Sequence, residues 1–462
     1  MKKTLFILAS VFCLNANAQY TKLLDFTGTA NGLNPSYSNA FISDGTFLYG
    51  MAGGGGANGM GLIYKMMPNG SGFVDLYDFA GTTNGKGATG TLFYDGTFMY
   101  GMTVKGGTVD SGVVFKIKPD GSSYAKLIDL NNTTGGNPYG SLFSDGTFLY
   151  GTTASGGLHN YGTLFKIMPN GSGFVKLHDF ANGSEGAYPY GSLISDGTYL
   201  YGMTSSGGAN SIYGSIFKIK PDGSGFTTIY SFGNGGAVNG MSPIGSLISV
   251  GGALYGMTRN GGANSHGLIF KIMPDGSGYT KLLDFAGPNT PWGDSPYGDL
   301  IYDGTFFYGM TQKGGATSSG TIFKIKPDGS GYVDLFDFVT GTTTGKYPYG
   351  TLYSDGSCLY GTTYNGGSIN AGTVFSLCGA LGGIIEEKTN HEQIIVYPNP
   401  ANNKIIIQAN QITDVKLLDL LGKQITNTKA NDVDVSNLIN GIYFVQVQTN
   451  NSNYIQKIIV QH

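Results

Sequence analysis

The chain has 462 residues, of which only 12% are charged, and a formal net charge of -3. That balance leaves no basic footprint for a nucleic acid and no polybasic patch for an anionic membrane surface. Glycine at 78 positions would suggest low complexity, yet 13% aromatic residues argue for packed cores.

Residues 1–18 read as a secretory signal peptide. Lys2 and Lys3 precede an apolar run from Leu5 to Leu14, and Ala16-Asn17-Ala18 supplies small residues for cleavage before Gln19. Cys13 invites a lipoprotein reading, but Phe12 stands where that processing wants a small residue. No other stretch is apolar for long enough to span a membrane as a helix, so no transmembrane segment is expected.

After the signal the chain repeats itself. A Tyr-Gly pair returns at Tyr49, Tyr100, Tyr150, Tyr201, Tyr255, Tyr308 and Tyr360, with spacings of 51, 50, 51, 54, 53 and 52 residues. Such a period belongs to propellers and long solenoids. Each anchor is followed by a double glycine, an apolar run such as Phe115-Lys116-Ile117, and a Pro-Asp-Gly or Pro-Asn-Gly turn. A last strand such as YTKLLDF, Tyr279 to Phe285, closes the unit. In the third copy the four strands are expected at 140–144, 147–153, 162–168 and 174–180. Asp145-Gly146 and Asn170-Gly171 are dipeptides that accept positive φ and close tight hairpins. Aromatic and β-branched residues fill the strands, and no helical periodicity appears, so helices should be nearly absent. Charges on the fourth strand, such as Lys176 and Asp179, suit a free outer edge.

The seventh copy stops after its third strand, at VFSLCG. Its missing strand lies at the other end of the chain, where Tyr20 to Phe26 reads YTKLLDF, identical to Tyr279 to Phe285. A ring has a use for such a split, because the N-terminal strand completes the last blade. The fold read from the sequence is all-β: a seven-bladed β-propeller over 19–379, closed by an N-terminal latch strand, followed by a small Ig-like β-sandwich.

The tandem units resemble the bacterial GloVer repeat family. Its pattern of Leu-Tyr-Gly-Thr-Thr, a double glycine, Val-Phe-Lys-Leu and Pro-Asp-Gly is best matched at Leu149 to Gly157 and at Gly320 to Gly329. The resemblance spans Gln19 to Gly379 and implies extracellular proteins without implying an activity. The double glycine is shared with kelch blades, but the kelch Trp is missing, so that likeness is one of fold only.

Cys358 and Cys378 fall in the seventh copy. With Tyr360 opposite Ser376, an antiparallel register also sets the two cysteines opposite each other. In an oxidising compartment both a disulfide and two buried thiols are open readings.

Beyond Gly379 glycine falls away, and 380–393 reads as a linker. Short runs of alternating apolar residues over 394–462 suggest a sandwich of seven or so strands. This segment resembles the type A C-terminal sorting domain of type IX secretion. The matching residues are Tyr397, Pro398, Asn399, Pro400 and Ala401, the LLDLLG run ending at Gly422, LINGIY with Gly441 and Tyr443, and the basic apolar end at Lys457. The resemblance implies export through the inner membrane and then passage through the outer membrane, with the type IX machinery as partner. It also implies removal of the domain and a product that is surface-attached or released.

Candidates for chemistry are sparse. His159 and His266 stand in equivalent loops of the third and fifth copies, either meeting over a central channel or serving as ordinary exposed loop residues. The turn aspartates recur once or twice per copy, but Asn replaces them at Asn69 and Asn170, which favours turn chemistry over calcium. Asp299 stands where other copies carry Thr or Ser, a lone carboxylate placed to touch a channel ion or water. No metal-ligand spacing, phosphate loop, triad or nucleophile with an adjacent base appears, and no cofactor is implied.

Connections between strands one and two, and between three and four, are uniform tight turns. The others are longer, vary between copies, and emerge together on the opposite face, where binding usually resides. That face carries Tyr139, Tyr190, Tyr297 and Tyr349, which either plug the gaps between blades or stack on a ligand. Trp292 does not recur and is the stronger ligand candidate. The function expected is a secreted or cell-surface, non-catalytic propeller that binds glycan or protein. The alternatives are a polysaccharide-degrading enzyme and a structural or adhesion protein.

Overall fold

The structure, a computed structural model, describes residues 18–35, 40–209, 212–233, 236–341, 343–381, 395–397, 401–408, 412–418, 424–449 and 453–460. The expected signal, save Ala18, lies outside the described residues, as do most of the expected linker, Pro398, Asn399, Pro400 and Gly422. Two compact units divide the chain, Met1–Gly383 and Ile384–His462. Among the described residues no helix is long and apolar enough to cross a membrane.

In the first unit the described residues are all-β apart from two single-turn 3-10 segments, Gly183–Glu185 and Ala237–Asn239. Its described residues form seven four-stranded antiparallel sheets, numbered here in chain order by their inner strands. The third shows the pattern: Phe143–Ser144, Leu149–Thr153, Thr163–Ile167 and Val175–Asp179. Its second strand is wholly buried and its third is buried except at Lys166, so both faces are covered by neighbours. The fourth is half-exposed and carries a Lys176–Asp179 pair at 2.8 Å.

Side-chain chemistry closes the first hairpin. Asp145 Oδ1 accepts the N–H groups of Thr147 and Phe148 at 2.8 Å each, and Oδ2 accepts the Tyr150 hydroxyl at 2.7 Å. Partial desolvation opposes ionisation, yet these donors hold the Asp145 carboxyl below the usual range. Positive φ falls on Gly146 (φ 90°), not on Asp145, whose part is that of an acceptor. The same aspartate–tyrosine clasp joins Asp44, Asp95, Asp196, Asp303 and Asp355 to their anchors. The fifth sheet has Val250 at that position.

The inner strand is shorter than the sequence suggests, only two residues in most sheets. Residues before it bond sideways instead. Ser141 N–H donates to Ser192 Oγ in the next sheet at 2.7 Å, and the series runs Ala40 to Thr91, Thr91 to Ser141, Ser192 to Ser246, Ser246 to Asp299 and Asp299 to Thr351. The inner strands converge so closely that a Cβ on Gly191 would lie 2.3 Å from the Gly245 carbonyl oxygen, and one on Gly298 2.1 Å from that of Gly350. Only glycine fits such an approach.

A second circuit runs through backbone groups at the longer-loop end. The N–H groups of Gly87, Asn137, Tyr188, Ser242, Ser295 and Tyr347 donate to the preceding sheet, at Met60, Ser111, Tyr161, Tyr213, His266 and Ser319. The seventh link joins Asn34 N–H to Ala371 of the last sheet at 2.8 Å. Apolar clusters fill every interval between consecutive sheets, including one shared by Phe41, Leu48 and Tyr64 of the first with Tyr360 and Val374 of the seventh. The seventh sheet is completed by Gln19–Asp25, antiparallel to Thr373–Cys378 from Gln19 opposite Cys378 to Asp25 opposite Thr373. Cys358 and Cys378 are disulfide-bonded across paired strands, with Cα atoms 4.1 Å apart.

In the second unit, Ile395–Tyr397, Lys404–Gln408 and Asp432–Asp434 form one sheet, and Gln424–Thr428, Ile412–Leu418, Gly441–Thr449 and Asn453–Val460 form another. One core is shared by Val396, Ile405, Ile407 and Val433 of the first with Val415, Leu417, Val445, Val447 and Ile458 of the second. Ala401 is buried there, and the half-turn before Gly441 is held by Tyr443 Oη donating to Ile439 O at 2.9 Å. Lys457 lies on the last strand, opposite Phe444.

Candidate functional site

The longer loops of the first unit surround a mouth built from two positions of each repeat. One follows the inter-sheet link and holds Thr89, Tyr139, Tyr190, Ile244, Tyr297 and Tyr349 in the second to seventh sheets. The other lies four residues after each anchor tyrosine and holds Gly53, Val104, Ala154, Ser205, Arg259, Gln312 and Tyr364. Backbone hydrogen bonds hold the two positions side by side: the N–H groups of Ala154, Ser205, Arg259, Gln312 and Tyr364 donate to the carbonyls of Asn137, Tyr188, Ser242, Ser295 and Tyr347.

The four candidate tyrosines come together in two groups. Tyr139 and Tyr190 lie 4.9 Å apart between ring centroids. Tyr297 and Tyr349 meet edge to face at 4.7 Å, and Tyr349 meets Tyr364 in the same way at 5.2 Å. The Arg259 guanidinium lies 4.6 Å over Tyr297, and Gln312 Nε2 donates to Tyr349 Oη at 2.6 Å. Tyr297 is buried, whereas Tyr139, Tyr190 and Tyr349 are half-buried. Burial raises the Tyr190 hydroxyl pKa. The rings therefore form a wall around the mouth.

Trp292 is not part of this wall. It is 42% exposed and stacks at 4.7 Å on Tyr332, just before the outer strand of the sixth sheet. One indole face is used for packing and the other meets solvent.

The two loop histidines are not brought together among the described residues. His159 is exposed, as an ordinary loop residue would be. The reading of His266 as an exposed loop residue is corrected: it is half-buried, with Nδ1 3.1 Å from Asp294 Oδ1. The Ser295 hydroxyl donates to the same oxygen at 2.7 Å. Ser295 Oγ and His266 Nδ1 both bond Asp294 Oδ1 rather than each other, and the trio is a brace between the fifth and sixth sheets.

The reading of Asp299 as a carboxylate without a partner is also corrected. Its Oδ1 accepts Ser246 N–H at 2.5 Å, and its own N–H donates to Thr351 Oγ1 at 2.9 Å. It occupies the hydroxyl position of the inner circuit. Burial raises its pKa, against the Ser246 N–H and the Ser246 and Thr351 hydroxyls. Among the described residues no group of three His, Cys, Asp or Glu side chains is placed to hold a metal ion.

A cavity of about 410 Å³ opens at the mouth between Tyr139, Tyr364, Gly53, Gly87, Thr89 and Lys105. Sequence reasoning passed over Tyr364 and Arg259 because they do not recur, and Lys105 because only Lys313 repeats it. The available signal was the reverse of repetition: the fourth position after the anchor differs in every copy, next to a third position that is threonine in all but the first. A smaller cavity of about 230 Å³ lies at the tight-turn end between the fourth and fifth sheets, near Asp196 and Leu254, where the fifth sheet has no clasp aspartate.

The chain matches the family described as the Gloeobacter/Verrucomicrobia repeat over residues 7–213, 93–258 and 200–384. It matches the secretion system C-terminal sorting domain over residues 395–461. No curated protein matches it. Among solved structures it is similar to the extracellular domain of the one component system BT4673 from B. thetaiotaomicron, at 12% identity and a TM-score of 0.52, over 96% of this chain and 58% of that one. The extracellular domain of the hybrid two component system BT3049 from B. thetaiotaomicron is similar at 12% identity and a TM-score of 0.52, over 96% of this chain and 57% of that one. The chain thus spans less than two thirds of either, and the likeness is one of fold. A puromycin-hydrolyzing peptidase of Mycobacterium tuberculosis is 12% identical with a TM-score of 0.48, over 85% of this chain and 62% of that one; no chemistry carries over from it.

Proposed function

The chain belongs to the Gloeobacter/Verrucomicrobia repeat family, and from that premise we propose a non-catalytic, seven-bladed β-propeller that binds glycan or protein through its longer-loop face. Its C-terminal sorting domain directs it to type IX secretion and so to the outer surface or the medium. In this reading 1–18 is the signal peptide, 19–379 the propeller, 380–393 a linker and 394–462 an Ig-like sorting domain. Tyr20 to Phe26 is the latch of the ring.

One observation carries the binding reading. The tight-turn end repeats a single aspartate–tyrosine clasp, whereas the mouth places Gly53, Val104, Ala154, Ser205, Arg259, Gln312 and Tyr364 at one equivalent position. A scaffold that holds its geometry while varying the side chains around one opening suits recognition rather than packing. The non-catalytic part of the reading is supported by the Ser295–Asp294–His266 brace, in which the serine and the histidine both bond the aspartate rather than each other.

Purified secreted protein should retain glycans on an array, or capture a protein partner, without releasing products from polysaccharides. Turnover of any polysaccharide would overturn the reading. Adhesion to whole cells without binding to soluble glycan or protein would replace it with a structural role.

A further inference from the structure

We propose that the mouth cavity is a binding site for a carboxylate-bearing sugar, a uronate residue of an acidic polysaccharide; this rests on the binding reading above and names its ligand class.

The cavity exists because the second sheet departs from the rest. It has Gly87-Ala88-Thr89 where the third has Asn137-Pro138-Tyr139 and the seventh has Tyr347-Pro348-Tyr349. Without the proline, the inner strand lengthens to Lys86–Tyr94 and pairs back as far as Lys105. Without the tyrosine, one sector of the aromatic wall is missing. The space of about 410 Å³ is drawn from the seventh, first, second and third sheets, and it lies within the size range of small-ligand sites.

What lines the gap is specific in kind. Tyr139 and Tyr364 stand on either side, each held by a second ring, Tyr190 and Tyr349 respectively. Gly53 and Gly87 leave bare backbone between them, so a flat ring can approach both walls. Tyrosine rings braced in this way present apolar faces to the C–H face of a sugar at little entropic cost. Lys105 is exposed at the edge and is the charged residue of the lining, which includes no carboxylate. The nearby Asp110 is engaged by Lys86 at 3.0 Å. A cation beside two aromatic walls, in a chain whose net charge is -3, selects an anionic ring over a neutral one.

The test is titration calorimetry of the full secreted chain with tetragalacturonate and tetramannuronate, each compared with its carboxyl-reduced counterpart. The expected result is binding of an acidic oligomer, at least about tenfold weaker for the reduced one and for Lys105→Gln. Thr89→Tyr, which installs the tyrosine of the third, fourth, sixth and seventh sheets, should abolish binding. Because Thr89 is buried, Tyr364→Ala serves as an independent second variant and should weaken binding about tenfold. Equal binding of acidic and reduced oligomers, or no effect of Lys105→Gln, overturns the anionic ligand. Binding unaffected by both Thr89→Tyr and Tyr364→Ala overturns the site. Failure of both uronates while a neutral glycan or a protein binds elsewhere sinks this proposal and leaves the binding reading standing. Failure of every glycan and protein sinks both.

Discussion

Truncating Tyr20 tests whether the first strand holds the last sheet. Its ring stacks flat on Phe336 at 4.1 Å, lies 5.5 Å from Phe375 and meets Phe338 edge-on at 6.1 Å. Its hydroxyl donates to the Thr344 carbonyl, 324 residues away in the chain, and burial raises its pKa well above the ordinary tyrosine value. Truncation of a large buried aromatic to alanine costs about 3–5 kcal/mol. Because the edge of Tyr20 retains some exposure, the lower figure applies, so Tyr20→Ala should destabilise the seventh sheet by about 3 kcal/mol. That is roughly a hundredfold in the opening equilibrium. Hydrogen exchange read by mass spectrometry should show this acceleration over Cys358–Thr363 and Thr373–Cys378, with a much smaller change over Leu149–Thr153. An acceleration below about threefold in the seventh sheet, or an equal one in the third, would refute the reasoning.

Two further expectations follow from places where copies depart from the pattern. In the sixth sheet Asp334 replaces the lysine that pairs with aspartate in the second, third, fifth and seventh sheets, so it faces Asp337; desolvation first, then the Asp337 charge, push it up to about 7. The folded state therefore keeps a proton that the unfolded chain releases near pH 4, and the contribution of this group to stability is full below about pH 4 and declines as pH rises toward 7. Allowing for partial exposure, Asp334→Lys should recover about 1 kcal/mol at neutral pH and flatten the slope in urea titrations; an unchanged slope would count against it. The Cys358–Cys378 bridge closes a sequence separation of 20, so reduction should cost about 3 kcal/mol, and native protein should weigh two mass units less than reduced protein. Two alkylatable thiols in native secreted protein would contradict this.

The four-stranded sheets were legible because each repeat carries its own punctuation. Asp145-Gly146 and Pro169-Asn170-Gly171 mark two turns, Gly156-Gly157 marks a third, and the split YTKLLDF strand marks closure. What stayed hidden depends on contacts between copies. Asp179 was legible as a charge guarding an outer edge; in the structure its Oδ1 also accepts Leu158 N–H at 2.8 Å and so fastens the loop after the double glycine. Asp299 looked exceptional by residue type, yet it performs the acceptor role of Ser192 and Ser246. Arg259 and Tyr364 gave no repeated signal and Lys105 recurs only as Lys313, because the mouth is where the period carries geometry and leaves side chains free.

Scaffold and opening are coupled through one strained position. Asn34, Asn137, Tyr188, Ser242, Ser295 and Tyr347 all have positive φ, between 48° and 58°, and each precedes a proline. A non-glycine residue in this region costs roughly 1 kcal/mol or more, and tyrosine is an uncommon occupant. The strain persists because each of these residues donates its N–H to the preceding sheet. In the third, fourth, sixth and seventh sheets the same bend sets the following Pro-Tyr at the mouth. At Gly87 (φ 67°) the left-handed turn is unstrained, the link to Met60 is kept at 2.9 Å, and no proline follows. The second sheet can therefore open the wall without losing a link of the circuit, and the cavity lies beside it.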